Sequence, residues 1–223
     1  MAAPDPAKEA RRLAAASLAR DDPTGWFERL YTAAEAGEAA LPWDRGTPQK
    51  LVATWAHHHR ARGEGQRALV VGCGLGRDAE LVVQLGYGTV AFDVSPTAIS
   101  TARKRFPDSS VDYRVADLLA PPHEWIQEFD LVVESMTVQS LPEPPRANAI
   151  LNVGRFVGVG GTLLVVAAAR LSSNDSSAGP PWPLSRHEVD LFAASGLEPV
   201  HVQQIPDADD GAVHRWLAEF RRM

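Results

Sequence analysis

The chain has a single cysteine, Cys73, so it can form neither an internal disulfide nor a multi-thiolate metal site. It also lacks a basic surplus: 22 Lys and Arg stand against 28 Asp and Glu, a formal charge of −6. Nucleic-acid-binding proteins normally show a basic stripe, because phosphate contacts supply most of their affinity. Short basic runs such as "RRL" at 11–13 and "RRM" at 221–223 do not make such a stripe. No apolar run reaches the ~18 residues that a bilayer span needs. The first residues, "MAAPDPAKEARRL", carry charges where a secretory signal needs an apolar stretch. These absences argue against nucleic acid or membrane as partner and for a cytoplasmic protein acting on a small molecule.

What is present points to one α/β domain, since 223 residues of which 45% are hydrophobic can bury a substantial core. From Pro6 to Arg62 the pattern is helical with breaks. In "DDPTGWFERLYTAAEAGEA" Asp22 or Thr24 can cap a helix whose Trp26, Phe27, Leu30 and Tyr31 recur at helical spacing. "LPWDRGTP" interrupts the pattern, and "QKLVATWAHHHRAR" resumes it. The three consecutive histidines 57–59 point in three directions on a helix, which suits a solvated helix end better than a metal site.

From Arg67 onward, apolar runs alternate with amphipathic stretches: "RALVV" (67–71), "GTVAFD" (88–93), "VDYRVAD" (111–117), "FDLVVES" (129–135) and "GTLLVVAAA" (161–169). Near-continuous apolar strands between helices indicate a buried parallel sheet covered on both faces. The Ser-, Gly- and Pro-rich segment 171–185 reads as a long loop at the carboxyl end of the fifth strand, where such sheets bind ligands. "VHRWLAEFRR" fits a helix or one face of a strand equally well.

After the first strand comes Gly72-Cys73-Gly74-Leu75-Gly76, a turn suited to close approach of a nucleotide. The dinucleotide fingerprint needs its third glycine one place later, where Arg77 stands, and a P-loop needs Lys-Ser/Thr where Arg77-Asp78 stands. Asp93 ends the second strand seventeen residues after Gly76, positioned to accept both hydroxyls of a ribose. Asp117, followed by Leu118 and Leu119, ends the third. A lone carboxylate at a strand end commonly caps the next helix; two on consecutive strands after a glycine turn suggest an adenosine without phosphates.

The stretch "VVGCGLGRDAELVVQLGYGTVAFDVSPTAISTARKRF", with "VADLL", "FDLVVES" and "VGVGGTLLVVA", resembles the motifs of class I S-adenosylmethionine-dependent methyltransferases. The resemblance implies a Rossmann-like α/β fold: a seven-stranded, mostly parallel sheet with an antiparallel C-terminal hairpin, helices on both faces and a helical N-terminal cap. The hairpin would be "LEPVHVQQI" and "VHRWLAEFRR". It further implies a cap over residues 1–62 and a cofactor-binding domain over 63–223. S-adenosylmethionine is the implied cofactor, S-adenosylhomocysteine the product, and no metal is implied. By the same resemblance Gly72, Cys73, Gly74 and Gly76 pass under the methionine part, Asp93 and Val94 hold the ribose, and Asp117 with Leu118 hold the adenine. Glu134 would lie near the sulfonium, as a cofactor contact or a base.

The front end, "GWFERLYTAAEAGEAALPWDRGTPQKLVATW", is similar to the thiopurine S-methyltransferase-like group, in which "W…PWD.G.P…L" precedes the glycine motif. That places Trp43 over the cofactor and Trp26 and Tyr31 beside the substrate, although core packing also accounts for Trp26 and Tyr31. Thr137 and Gln139, with Ser135, follow the fourth strand and complete the expected acceptor wall. His123 reads as a loop residue. "EPPR" (143–146) is similar to the Asp/Asn-Pro-Pro-aromatic motif of amino-directed nucleic-acid methyltransferases, but Arg146 replaces the aromatic and the motif lies nine residues past Glu134. It reads better as a helix start with proline in the first turn.

Methyl transfer from a sulfonium is an in-line displacement with a good leaving group, so alignment and water exclusion are the protein's main tasks. A thiolate needs no general base; a hydroxyl or ring N–H does. The expected acceptor is therefore a small thiol or an aromatic heterocycle methylated on S or N, handled by a monomer or homodimer. Two rivals stand beside this reading: a nicotinamide-dependent reductase, against which Arg77 argues, and a protein that binds S-adenosylmethionine without turnover.

Overall fold

The computed structural model describes residues 5–171, 179–207, 210–211 and 213–223. Its centre is a seven-stranded sheet: β1 (Arg67–Val71), β2 (Gly88–Asp93), β3 (Asp112–Val115), β4 (Phe129–Ser135), β5 (Val157–Ala168), β6 (Glu198–Pro206) and β7 (His214–Arg221). Their order is β3-β2-β1-β4-β5-β7-β6. β1 to β5 pair in parallel, and β7 inserts antiparallel between β5 and β6. This is the seven-stranded sheet with an antiparallel terminal hairpin that the motifs imply. The ambiguous C-terminal segment is a strand because its alternate residues Trp216, Ala218 and Phe220 face a buried layer while it hydrogen-bonds on both edges.

Among the described residues seven α-helices connect and cover the strands: α1 (Pro6–Leu18), α2 (Gly25–Glu35), α3 (Lys50–His58), α4 (Arg77–Gln84), α5 (Pro96–Arg105), α6 (Pro145–Phe156) and α7 (Arg186–Asp190). Their starts follow from local chemistry. The Ser95 hydroxyl accepts from Ala98 N at 3.0 Å, with Pro96 in the first turn of α5. Asp22, not Thr24, supplies the side-chain cap of α2, its Oδ1 accepting from Gly25 N at 2.7 Å. "EPPR" does open α6 with a proline in its first turn.

One face of the sheet packs Leu69, Val71, Phe92 and Val132 against Trp125, Ile150 and Phe156. The other packs Ala68, Val70, Leu131 and Val133 against Val82 of α4, Ile99 of α5, and Val52 and Trp55 of α3. α3 is thus a sheet-covering helix. α1 and α2 alone form a separate small core, in which Ala10, Ala14, Trp26 and Leu30 meet. This two-helix unit is fastened to α5. Glu28 accepts from the Thr97 hydroxyl at 2.6 Å and from the Ser95 hydroxyl, and Asp44 takes both Nη atoms of Arg105 at 3.1 and 2.8 Å.

Two strands depart from their expected bounds. β3 ends at Val115, so Asp117 lies in the turn beyond it. β5 begins at Val157, ahead of the expected run 161–169, because a register shift opposite Phe129 lets the glycine-rich stretch before it join the ladder. Among the described residues no helix is long and apolar enough to cross a membrane.

Candidate active site

The chain leaves β1 toward β2 on one side, whereas β4 and β5 lie on the other, so the carboxyl ends of β1 and β4 open a crevice between them. A cavity of about 570 Å³ occupies it, within the range of small-molecule and cofactor sites. Gly72, Cys73, Gly74 and Leu75 form one wall; Asp93 and Val94 form the next; Ala116, Asp117 and Leu118 close that end.

The glycine turn leaves no room for side chains at any of its three glycines, as Gly72 and Gly74 show. Gly72 has φ +56°, and a β-carbon there would lie 2.4 Å from Thr137 Cγ2. Gly74 has φ +52°, and its β-carbon would lie 2.9 Å from the Tyr31 hydroxyl. Both conformations are ones that L side chains adopt rarely.

Asp93 stiffens this turn. Its Oδ2 accepts from Gly74 N at 3.0 Å and its Oδ1 from Ser95 N at 2.9 Å. Only 6% of the residue is exposed. Burial pushes its carboxyl up to about 6, against the lowering effect of the N–H groups of Ser95, Gly74 and Val94. Each carboxylate oxygen keeps a further lone pair for a ligand hydroxyl. Asp117 Oδ1 accepts from Leu119 N at 2.8 Å, so it caps its own turn while lining the cavity.

The roof comes from the N-terminal segment. Trp43 Nε1 donates to the Tyr31 hydroxyl at 2.9 Å, the two rings meeting at 66° with centroids 5.8 Å apart. Burial, then the nearby Asp93 charge, holds the Tyr31 phenol well above its ordinary range. Every residue of "PWDRGTP" except Gly46 lines the cavity. Asp78 fastens this segment from below, its Oδ1 accepting from Gln49 N at 2.7 Å; burial raises its carboxyl, opposed by Gln49 N–H and the Ser135 hydroxyl.

Beyond the end of β4 the cavity continues along Ser135, Met136, Thr137, Gln139 and Ser140 to Pro180, Pro181 and Arg215. The Thr137 hydroxyl donates to Val71 O at 3.0 Å, tying this loop to the glycine turn. Gln139 Oε1 accepts from Ala168 N, which fixes the amide in place. Of the expected loop 171–185, residues 172–178 lie outside the described residues; Pro180 and Pro181 reach the cavity.

Three expected site residues lie off the cavity wall. Glu134 is fully buried behind it, its Oε1 accepting from Thr137 N at 2.8 Å and Val138 N at 3.0 Å. Among the described residues Oε2 has no hydrogen-bond partner, and burial pushes the carboxyl up to about 7. Glu134 therefore shapes the loop after β4 and touches nothing in the cavity. Trp26 is fully buried in the α1–α2 core, stacked on Phe27 at 3.9 Å, and it is Phe27 that faces the cavity. Gly76 turns the chain into α4 beneath the Tyr113 hydroxyl and does not line the cavity. Among the wall residues that sequence reasoning passed over are Phe27, Asp78, Met136 and Arg215. Asp78 had a signal, since it follows the glycine turn directly; Arg215 had none in a strand of mixed polarity. Among the described residues no group of three or more His, Cys, Asp or Glu is gathered as a metal site.

Residues 69–165 match the protein family described as a methyltransferase domain. The chain is 26% identical over 190 residues to the probable thiol methyltransferase 2 of Arabidopsis thaliana, covering 83% of this chain and 79% of that protein. It is 25% identical over 206 residues to the 2-heptyl-1-hydroxyquinolin-4(1H)-one methyltransferase of Mycobacteroides abscessus, covering 87% and 88% respectively. Its fold is that of the Burkholderia thailandensis 1,6-didemethyltoxoflavin-N1-methyltransferase, solved with its namesake substrate and S-adenosylhomocysteine, at a TM-score of 0.67 and 17% identity over 100% of this chain and 93% of that one. The match to the methyltransferase-domain family thus spans residues 69–165, and the likeness to the solved structure shows a shared class I methyltransferase fold.

Proposed function

We propose that this chain transfers a methyl group from S-adenosylmethionine to a small acceptor, at a thiol sulfur or at sulfur or nitrogen of an aromatic heterocycle. The observation that carries the reading is a single cavity joining two unlike ends. One end has the glycine turn, buried Asp93 and the Asp117-Leu118 corner; the other is walled by Phe27, Met136, Thr137, Gln139 and Pro180.

The residues present fit the cofactor. Gly72 and Gly74 have no side chain where one would collide, and Asp93 keeps acceptor capacity toward the cavity. In this reading Asp93 and Val94 hold the ribose, Asp117 and Leu118 the adenine, and the Gly72–Leu75 backbone the methionine part. The bound cofactor supplies an electrophilic methyl group on a positively charged sulfur. Trp43, held by Tyr31, covers it and excludes water. The cover, drawn from sequence over residues 1–62, narrows here to α1, α2 and the segment through Gln49, because α3 packs on the sheet.

The acceptor class follows from which groups are engaged. No histidine is among the described residues lining the cavity. Each of its carboxylates already accepts from a protein donor: Asp44 from Arg105, Asp78 from Gln49 N, Asp93 from Gly74 N and Ser95 N, and Asp117 from Leu119 N. A nucleophile that needs no base at neutral pH, such as a thiolate or a ring nitrogen lone pair, suits such a wall. The names of the two relatives, a thiol and a hydroxyquinolone methyltransferase, support small acceptors of this kind. Kinship with the thiopurine S-methyltransferase-like group is part of the proposal and rests on the cavity-lining "PWDRGTP" segment. The test is incubation with S-adenosylmethionine carrying a CD3 group and a panel of thiols and aromatic N-heterocycles. Mass spectrometry should find one CD3 added to members of the panel. Tight S-adenosylhomocysteine binding without labelled product would instead make this a binding protein without turnover.

A further inference from the structure

Arg215, on β7, lines the acceptor end of the cavity, its Nη1 beside the Met136 sulfur. Its Nε donates to Asp207 Oδ2 at 2.7 Å. Only 11% of the Arg215 side chain and 12% of the Asp207 side chain are exposed. The two Nη groups carry four N–H donors, and among the described residues their partner is the Met136 sulfur, 3.9 Å from Nη1 and a weak acceptor. Buried N–H donors normally find strong partners. Here a nearly buried cation, oriented by Asp207, instead borders an open cavity.

The charges around it favour an anion. The lining carboxylates Asp93 and Asp117 sit at the opposite, cofactor end of the cavity. Asp44 is held by both Nη atoms of Arg105, and Asp78 by Gln49 N. Facing Arg215 itself are Asp207, Met136 and its ladder partners Ala168 and Ile205. None of these but Asp207 is ionisable.

Resting on the methyltransferase reading above, we propose that Arg215 determines acceptor specificity by binding a carboxylate or equivalent planar oxyanion on the acceptor, apart from the atom that is methylated. A guanidinium whose Nε is already fixed presents its Nη edge as a fork to two such oxygens. The acceptor's aromatic body then lies against Phe27, Met136 and Pro180.

The experiment uses the full chain saturated with S-adenosylhomocysteine and measures binding of matched probes: benzoate and benzamide, nicotinate and nicotinamide, 2-mercaptonicotinate and 2-mercaptonicotinamide. The expected result is a preference for each carboxylate on the order of tenfold over its amide. Arg215→Met should bring that ratio to about one while S-adenosylhomocysteine affinity stays unchanged. Because Arg215→Met removes the ion pair to Asp207, the Arg215→Met/Asp207→Asn double variant is measured beside it and should show the same lost preference. A merely structural role would lower the melting temperature without moving the ratio. Carboxylates that bind no better than amides, measurable binding of neither included, overturn the proposal, as does a preference that survives in Arg215→Met. Failure of S-adenosylhomocysteine itself to bind would be a different result, removing the underlying reading and this inference with it.

Discussion

Replacing Asp93 with alanine removes a carboxylate that the structure holds at the junction of the glycine turn and β2. Two effects add. The hydrogen bonds from Gly74 N at 3.0 Å and Ser95 N at 2.9 Å disappear, loosening the turn, and the acceptor for ribose hydroxyls is lost. A hydrogen bond to a charged group contributes about 1.5–3 kcal/mol, so S-adenosylhomocysteine affinity should fall roughly 10- to 150-fold. The pH dependence gives a sharper signature. Burial places the Asp93 carboxyl at about 6 in the free protein. Its ionised form accepts hydroxyl donors best, so affinity should rise with pH through 6 and level off above 7, by about tenfold between pH 5 and 7.5. Folding of the free protein responds with the opposite sign. A carboxyl raised from 3.8 to about 6 contributes stability that is full below pH 3.8 and lost as pH rises through 6. Calorimetric titrations from pH 5 to 8 should therefore show a slope in the wild type that is absent in Asp93→Asn. Glu134 titrates nearby but lies off the cavity wall, so Glu134→Gln should keep the slope. Unchanged affinity in a folded Asp93→Ala protein, or the same slope in Asp93→Asn, would refute the reasoning.

Glu134→Gln should stabilise the fold at neutral pH. The raised carboxyl contributes stability below 4.5 that is lost as pH rises through about 7, so the wild type should lose about 3 kcal/mol relative to the variant between pH 4.5 and 8, read from denaturant midpoints. A parallel pH dependence in the two proteins would contradict this. Gly74→Ala places a methyl group 2.9 Å from the Tyr31 hydroxyl at a left-handed backbone position. It should cost about 1–2 kcal/mol in stability and weaken S-adenosylhomocysteine binding by displacing the Tyr31–Trp43 pair; a neutral result on both counts would show that the roof does not rest on this turn. Trp26→Ala should destabilise by about 3–5 kcal/mol, as emptying an aromatic core site does. Trp26→Phe should leave acceptor binding intact, whereas Phe27→Ala should weaken it; acceptor affinities that track Trp26 rather than Phe27 would reverse the assignment.

The order of elements was legible because strands buried on both faces read as unbroken apolar runs. β1, β2 and β4 begin and end where those runs do, and Asp93 stands at a carboxyl end in both descriptions. That same burial hid the site's details. A strand with apolar neighbours above and below carries no polarity pattern to say which way Glu134 turns, and it turns into the protein. Trp26 and Phe27 are adjacent on α2, where helical periodicity cannot choose between neighbours that both fit the apolar arc; packing against Ala10 and Ala14 of α1 decides it. The short terminal strand matched two periodicities until its ladder partners on β5 and β6 removed the choice. Arg215 comes from that strand and reaches the cavity only through antiparallel pairing far along the chain, so no local signal marked it.

The most direct test of the account is calorimetric titration of the full chain with S-adenosylhomocysteine, run beside NADH. Micromolar binding of S-adenosylhomocysteine with no heat from NADH is the predicted result. It would show that the glycine turn and Asp93 hold an adenosine without a pyrophosphate. Binding of NADH alone would contradict the account at its root, and the methyltransferase assignment would fall with it.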